Sequence, residues 1–277
     1  MGLIPWRPLS ATFGAEAEID LSRPFSPELV DAWRALFDER HLILVRCGAL
    51  GAAEQKRALS ALGKPVPTAD TTAFISTDPA IGGLGTIEVA FHSDLSFAPY
   101  PLDGICLYGL TLTDDVSSTK WVSAIDAYSA LPASLKARIA DLEVVNVISP
   151  YRCERNRFNG RPPNLPAAAH RLVRRTKTGQ PFLYANEAQS DHVVGLAPAE
   201  SDALLDEIYA ALYAPSRILE HRWRKGDLVV WNNQVLQHAR GDLTGLGERT
   251  LRRFEFGGRT LAEQFPEHLA EIYKDYG

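Results

Sequence analysis

The sequence predicts a mostly β protein with a double-sheet jelly-roll or barrel core and helical decoration. From residue 86 onward short strand candidates recur, whereas helix candidates gather near the N-terminus and between a few later strands. A doubly wound parallel sheet needs regular alternation of strands and helices, which this part of the chain lacks. We expect a single domain with a helix-rich part over about 1–65, a jelly-roll core over about 86–257 and a C-terminal helix over about 260–275.

The first elements alternate between strand and helix signals. Strand candidates cover residues 15–21 and 41–47, and helix candidates cover residues 27–39 and 52–62. Ser26 followed by Pro27 predicts the beginning of the first helix, and Gly63 predicts the end of the second. Residues 64–85 are rich in Pro, Thr, Asp and Gly and therefore predict a loop.

The rest of the chain is dominated by short strand candidates. They cover residues 87–97, 103–111, 119–125, 143–149, 170–176, 181–186, 217–223, 227–232 and 249–257. Helix candidates cover residues 132–142 and 198–213, and the second of these has apolar residues at helical spacing. Such a stripe predicts a helix that packs one face on the core.

Composition excludes several classes of protein. The chain has 277 residues, of which 45% are apolar and 23% charged, and this is ordinary for a globular protein. The net charge of −5 argues against nucleic-acid binding as the main function. Three distant cysteines, Cys47, Cys106 and Cys153, indicate neither a disulfide framework nor a zinc site. Without a signal peptide or a membrane-length apolar run, a cytoplasmic protein with no membrane partner is expected.

A first candidate site combines His92, Asp94 and His238. Because alternate residues of a strand point to the same face, His92 and Asp94 would direct an imidazole and a carboxylate to one point. His238 follows the strand candidate 227–232 and supplies a second imidazole. Two histidines and one carboxylate, with three open positions, form the facial triad of non-haem Fe(II) oxygenases. A solvated or hydrogen-bonded His–Asp pair is the alternative for residues 92–94 alone.

A second candidate site is a pair of arginines, Arg249 and Arg253, which lie 11 and 15 residues after His238. On a strand these two guanidinium groups share a face, whereas Arg252 points the other way. Their burial would be costly unless they paired with anions, and arginine binds carboxylates through a bidentate fork. A dicarboxylate cosubstrate would supply such an anion. A solvated basic edge strand is the alternative for this segment alone.

From about residue 12 to 257 the chain resembles the taurine dioxygenase/TfdA family of Fe(II)- and 2-oxoglutarate-dependent oxygenases. The resemblance lies in residues 92–94, 176–186, 221–240 and 248–253. Each segment is unspecific alone. The combination of HxD, the segment WxxGDLVxWxN, the distal histidine and the spaced arginine pair is highly specific. The family implies a double-stranded β-helix, a cupin-like variant of the jelly roll.

The resemblance also implies roles for individual residues. The implied iron ligands are His92, Asp94 and His238. Arg249 is implied to hold the far carboxylate of 2-oxoglutarate, and Arg253 to meet the substrate or the near carboxylate. Thr119, 27 residues after the first ligand, is implied to assist cosubstrate binding. An ordinary strand threonine is the alternative for Thr119.

Two further features bear on the substrate. Taurine-specific members carry an asparagine where this chain has Glu88, so Glu88 is a candidate substrate contact. A carboxylate at the substrate mouth would repel a sulfonate and accept an amine or hydroxyl, so taurine is not the expected substrate. A solvated loop residue is the alternative for Glu88. The segment 150–177 is strongly basic, and is either a mouth that attracts an anionic substrate or a solvated loop.

The expected activity is hydroxylation of a C–H bond in a small polar or anionic metabolite, with release of succinate and CO2. The expected cofactors are Fe(II) and 2-oxoglutarate. The expected partners are O2 and a small-molecule substrate, and family analogy adds a second copy of the chain in a homo-oligomer. One alternative is desaturation or other oxidative tailoring by the same iron site. Another is a non-catalytic jelly-roll protein that binds a ligand.

Overall fold

The computed structural model describes residues 3–67, 73–148 and 165–267. The helices are α1 (Pro27–Arg40), α2 (Ala52–Ser60), α3 (Ala124–Ala130), α4 (Ala133–Ile139), α5 (Pro198–Leu212) and α6 (Leu261–Gln264). The strands in the first half are β1 (Trp6–Pro8), β2 (Ala15–Ala17), β3 (Leu42–Arg46), β4 (Pro65–Val66), β5 (Phe74–Ser76), β6 (Gly83–Leu84), β7 (Val89–His92), β8 (Gly104–Leu112) and β9 (Ser118–Ser123). The later strands are β10 (Glu143–Val147), β11 (Ala167–Arg171), β12 (Val173–Arg175), β13 (Pro181–Leu183), β14 (Ser190–Val193), β15 (Leu219–Arg222), β16 (Asp227–Asn232), β17 (Leu236–Arg240) and β18 (Arg249–Phe256).

Two sheets enclose the main core. The larger has the order β1-β2-β3-β16-β8-β18-β5-β6, with β4 beside β18, and the smaller has the order β15-β9-β17-β7. Side chains from both sheets meet in one apolar cluster, where Trp121 of β9 lies edge-on to Trp231 of β16 with ring centroids 5.5 Å apart. This arrangement is a jelly roll, so the predicted mostly β fold is confirmed.

The outer face of the larger sheet is covered by α1 and α2. Residues of β3 alternate between the two cores, since Leu44 joins the cluster between the sheets while Ile43 packs outward with Trp33 of α1. The side chain of Ser26 accepts a hydrogen bond from the amide of Leu29 and caps α1, as the sequence predicts. Helices therefore occupy the outer face, and the inner face is left for the site.

Several element predictions are wrong. The strand candidate 87–97 ends at His92, because the chain then turns and Leu95 adopts a left-handed backbone with φ of 57°. The candidate loop 64–85 contains β4, β5 and β6, whereas α3, β14 and β17 were not predicted. The C-terminal helix candidate is described only as α6, and the part from residue 268 lies outside the described residues. Within the described ranges, no helix is both long and apolar enough to cross a membrane.

Candidate active site

Strand pairing brings the two predicted histidines together. β7 and β17 are neighbours in the smaller sheet, and His92 pairs directly with His238 in their register. Their ring centroids are 4.2 Å apart. Asp94 lies beside both, with its Oδ1 3.0 Å from Nε2 of His92 and its Oδ2 3.9 Å from Nε2 of His238. One ligand atom from each residue lies within 4.8 Å of the others.

A β-bulge in β7 sets which side chains face this cluster. His92 pairs with His238, and Val89 pairs with Arg240. Between these two pairs β7 advances three residues while β17 advances two. The extra residue brings Val89 and His92 to the same side. Both line a cavity between the sheets.

Asn233 fixes the turn that carries Asp94. Its Oδ1 accepts from the amide of Asp94 at 2.8 Å, and its Nδ2 donates to the carbonyl of Asp94 at 2.9 Å and to that of Leu102 at 3.1 Å. Asn233 is fully buried, so water cannot replace these bonds. The carboxylate therefore reaches the histidines from a turn with a fixed backbone, and not from a strand as the sequence predicted.

Asn233→Ala is expected to destabilise the protein by about 2–4 kcal/mol, because it leaves buried backbone groups without partners. Fe(II) affinity should fall about 10–100-fold, the usual cost of losing a group that orients a ligand. Thermal unfolding and Fe(II) titration measure the two effects. Asn232→Ala is the matched control, because the Asn232 side chain only accepts a bond from the amide of Gln234. Equal effects of both variants would remove this role of Asn233.

The charge of Asp94 is balanced by Arg253, which also contacts Glu255. Nη2 of Arg253 lies 2.8 Å from Oδ2 of Asp94 and 2.6 Å from Oε1 of Glu255. Burial alone would raise the pKa of Asp94, but Arg253 and the hydrogen bond with His92 outweigh it and hold the pKa far below the usual range. Asp94 is therefore ionised, as a metal-binding carboxylate must be.

The two histidines offer imidazole nitrogens to the cluster. Burial, followed by the neighbouring His92, lowers the pKa of His238 to about 3. Nδ1 of His92 lies 2.9 Å from the carbonyl of Ala90, an arrangement that leaves Nε2 directed at Asp94. An imidazole whose second nitrogen is held by a backbone carbonyl, as in His92, is a typical metal ligand. The donor set therefore fits Fe(II).

Arg249 lines the same cavity, and within the described ranges it forms no ion pair. Its side chain is 3% exposed, and among the described residues its Nε and Nη1 have no hydrogen-bond partner. Burial, and then the nearby Arg240, lower its pKa to about 9. A buried guanidinium of this kind is costly unless an anion pairs with it. The cavity thus holds a site of the right charge for a carboxylate beside the His–Asp–His cluster.

The remaining predicted residues divide into two groups. Thr119 is buried at the cavity wall, and its hydroxyl accepts a hydrogen bond of 2.9 Å from Nε1 of Trp223. Glu88 is exposed before β7 and does not line the cavity, which favours the solvated-loop alternative. In the basic segment, residues 149–164 lie outside the described residues, and Arg174, Arg175 and Lys177 line a separate groove.

Three residues near the site were missed in the sequence. Arg240 lines the cavity, Glu255 pairs with Arg253, and Asn233 holds the Asp94 turn. The first two carry a usable signal, because each stands two residues from a predicted site residue on a strand and so shares its face. Asn233 has no such signal in the sequence, since its partners are backbone groups more than 100 positions away.

Comparison with known proteins agrees with this geometry. Residues 6–254 match the family described as Taurine catabolism dioxygenase TauD, TfdA family. The chain is 26% identical to an alkylsulfatase of Acinetobacter baylyi over 91% of this chain and 84% of that protein. It is also 26% identical to an alpha-ketoglutarate-dependent sulfate ester dioxygenase of Pseudomonas putida, over 91% and 88%. A solved structure of a taurine dioxygenase from Burkholderia xenovorans has the same fold, with a TM-score of 0.79, 24% identity, and coverage of 92% of this chain and 91% of that one.

Proposed function

The chain belongs to the TauD/TfdA family of dioxygenases, and from that premise we propose which side chains carry the reaction and what they oxidise. The enzyme depends on Fe(II) and 2-oxoglutarate, and it acts on a small-molecule substrate with O2. When bound, iron and cosubstrate supply the oxidation of a substrate C–H bond, with release of succinate and CO2.

His92, Asp94 and His238 are the proposed iron ligands. The observation that carries the proposal is their convergence, with ligand atoms within 4.8 Å, in a cavity that also holds the unpaired guanidinium of Arg249. Imidazole and carboxylate together suit Fe(II). Nη2 of Arg253 lies 2.8 Å from Oδ2 of Asp94, so its first proposed role is to hold that carboxylate. Its second proposed role is to contact the near carboxylate of the cosubstrate or the substrate.

Arg249 is the proposed partner of the far carboxylate of 2-oxoglutarate, because that pairing would compensate the cost of its burial. Thr119 is the proposed second contact. Its oxygen accepts the Trp223 bond, so its own hydroxyl proton is available to donate to the cosubstrate. Around them Ile105, Leu107 and Trp231 form an apolar wall that keeps water from the reacting groups.

The proposed substrate is a small organic anion. Three arginines and one carboxylate line the cavity, namely Arg240, Arg249, Arg253 and Asp94, and this balance favours negatively charged molecules. Relatives named for organic anions support the same class, since one is a sulfate ester dioxygenase and another acts on 2,4-dichlorophenoxyacetate. The cytoplasmic location, the single-domain organisation and the homo-oligomer remain predictions.

The test is substrate-dependent succinate release. Purified protein with Fe(II), 2-oxoglutarate and O2 is offered a panel of alkyl sulfates, alkyl sulfonates, aryloxyacetates and neutral alcohols of equal length. The proposal predicts release with at least one anion class and none above background with the alcohols. A product one oxygen atom heavier than the substrate, or its cleavage products, indicates hydroxylation, whereas loss of two hydrogens indicates desaturation. Turnover of the alcohols alone would contradict the anion preference.

A further inference from the structure

Leu84 has an unusual backbone for a leucine. Its φ is +74°, in the left-handed region that residues with a side chain rarely adopt, and it precedes Gly85, which is also left-handed. Such a conformation costs free energy and persists only where the surroundings impose it, often at ligand-binding sites. Leu84 ends β6, which lies beside β5 in the larger sheet.

The strained leucine forms part of the cavity wall. Leu84 lines the same cavity as His92 and Arg249, together with the apolar residues Ile75 and Val89. These three apolar residues come from β5, β6 and β7, and the loop that follows β6 carries Ile87, which is 49% exposed. Ile75, Leu84 and Val89 thus form an apolar part of the cavity wall.

Arg240 holds both ends of the segment that begins at Leu84. It stands two residues after His238 on β17, and its Nη2 donates to the carbonyl of Leu84 at 3.1 Å and to that of Ile87 at 2.5 Å. Both ends of the 84–87 segment are therefore fastened to the strand that carries a proposed iron ligand. Because Arg240 is 5% exposed, water competes little with these bonds.

We propose that Leu84 is a specificity-determining residue that contacts the apolar part of the substrate, and that Arg240 is the positioning residue that holds it there. The inference rests on the proposed function, since it assumes that this cavity takes the organic anion. It implies that the organic anion also has an apolar part, a chain or ring that lies along Leu84, Ile75 and Val89. It also explains why a leucine occupies a position at which glycine would be less strained.

The test separates this role from a structural one. Octyl, butyl and ethyl sulfate are titrated into the anaerobic protein loaded with Fe(II) and 2-oxoglutarate, and binding is followed by the fluorescence of Trp231 in the cavity wall. Wild type should bind more tightly as the chain lengthens. Leu84→Gly should weaken octyl sulfate about tenfold and ethyl sulfate little, while its thermal midpoint stays equal or rises because strain is relieved. Leu246→Gly, at an exposed leucine outside the cavity, should change neither affinity.

A second pair of variants tests the positioning residue. Arg240→Met should flatten the dependence on chain length as Leu84→Gly does, and Arg240→Lys, which retains a donor, should restore part of it. A wild type without chain-length dependence, an equal loss for all three sulfates in Leu84→Gly, or a lowered thermal midpoint in that variant would overturn the proposal. Succinate release reports separately on the proposed function, because binding is measured here without turnover.

Discussion

Asp94→Ala is expected to bind Fe(II) at least about 100-fold more weakly than wild type and to release no succinate above background. Loss of a group that merely orients a ligand costs about 10–100-fold in metal affinity, and loss of the ligand itself should cost more. The substitution also removes the carboxylate that Nη2 of Arg253 contacts at 2.8 Å, while Glu255 stays beside the same nitrogen. Isothermal titration with Fe(II) under anaerobic conditions and a succinate assay measure both effects.

Two further variants control this experiment. Asp94→Asn keeps the size of the side chain and its backbone contacts to Asn233, so it should fold and yet lose most of the metal affinity. Asp141→Ala removes an almost fully exposed carboxylate and should behave as wild type. Wild-type Fe(II) affinity in a folded Asp94→Asn protein would show that this carboxylate is not an iron ligand.

Arg249→Ala is expected to weaken 2-oxoglutarate binding by at least about 30-fold, since removal of one partner of a buried charge pair costs roughly 2–5 kcal/mol. At saturating 2-oxoglutarate the rate should recover much further than in Asp94→Ala, because the metal ligands are intact. The measurement is the KM for 2-oxoglutarate and the kcat, determined separately. Arg252→Ala, which removes the arginine that faces away from the cavity, is the matched control.

Arg249→Ala is also expected to change the thermal stability of the protein in a direction that the pKa of Arg249 fixes. Burial lowers the pKa of Arg249 to about 9, so at neutral pH the ligand-free protein holds a protonated group in surroundings that disfavour it. A base with a lowered folded-state pKa destabilises the fold below that pKa, and Arg249→Ala should therefore unfold at an equal or higher temperature than wild type without 2-oxoglutarate. Addition of 2-oxoglutarate and Mn(II) should stabilise wild type more than the variant. Equal stabilisation of both would remove this role of Arg249.

The jelly-roll core follows from the sequence because its strands are short, apolar and separated by clear turn signals. β8, β16 and β18 lie in the middle of the larger sheet, and each lies within one residue of its candidate. β8 and β16 contain apolar runs, whereas β18 combines arginines with Leu251, Phe254 and Phe256. The β17 strand was missed because polar residues fill it, with Gln237, His238 and Arg240 among its five positions. In a strand that carries a site, polar site residues replace apolar ones, so the strand lacks the alternation of apolar and polar residues by which strands are predicted.

The predicted site residues meet for a reason that differs from the one the sequence suggested. His92 and Asp94 were expected to share a strand face, yet Asp94 lies in the turn beyond β7 and reaches His92 because Asn233 holds that turn. Local spacing cannot reveal a contact made by a residue so far along the chain. The left-handed Leu84 was hidden for a similar reason, since its carbonyl is bound by the distant Arg240.

The central claim is that His92, Asp94 and His238 hold Fe(II) in the cavity where Arg249 holds 2-oxoglutarate. Its most direct test is the visible charge-transfer band of chelated 2-oxoglutarate during anaerobic titration of the Fe(II)-loaded protein. The account predicts a band that saturates at one 2-oxoglutarate per chain, is absent in Asp94→Ala and needs far more cosubstrate in Arg249→Ala. A folded, Fe(II)-loaded wild type without the band, or an unchanged band in Asp94→Ala, would contradict it.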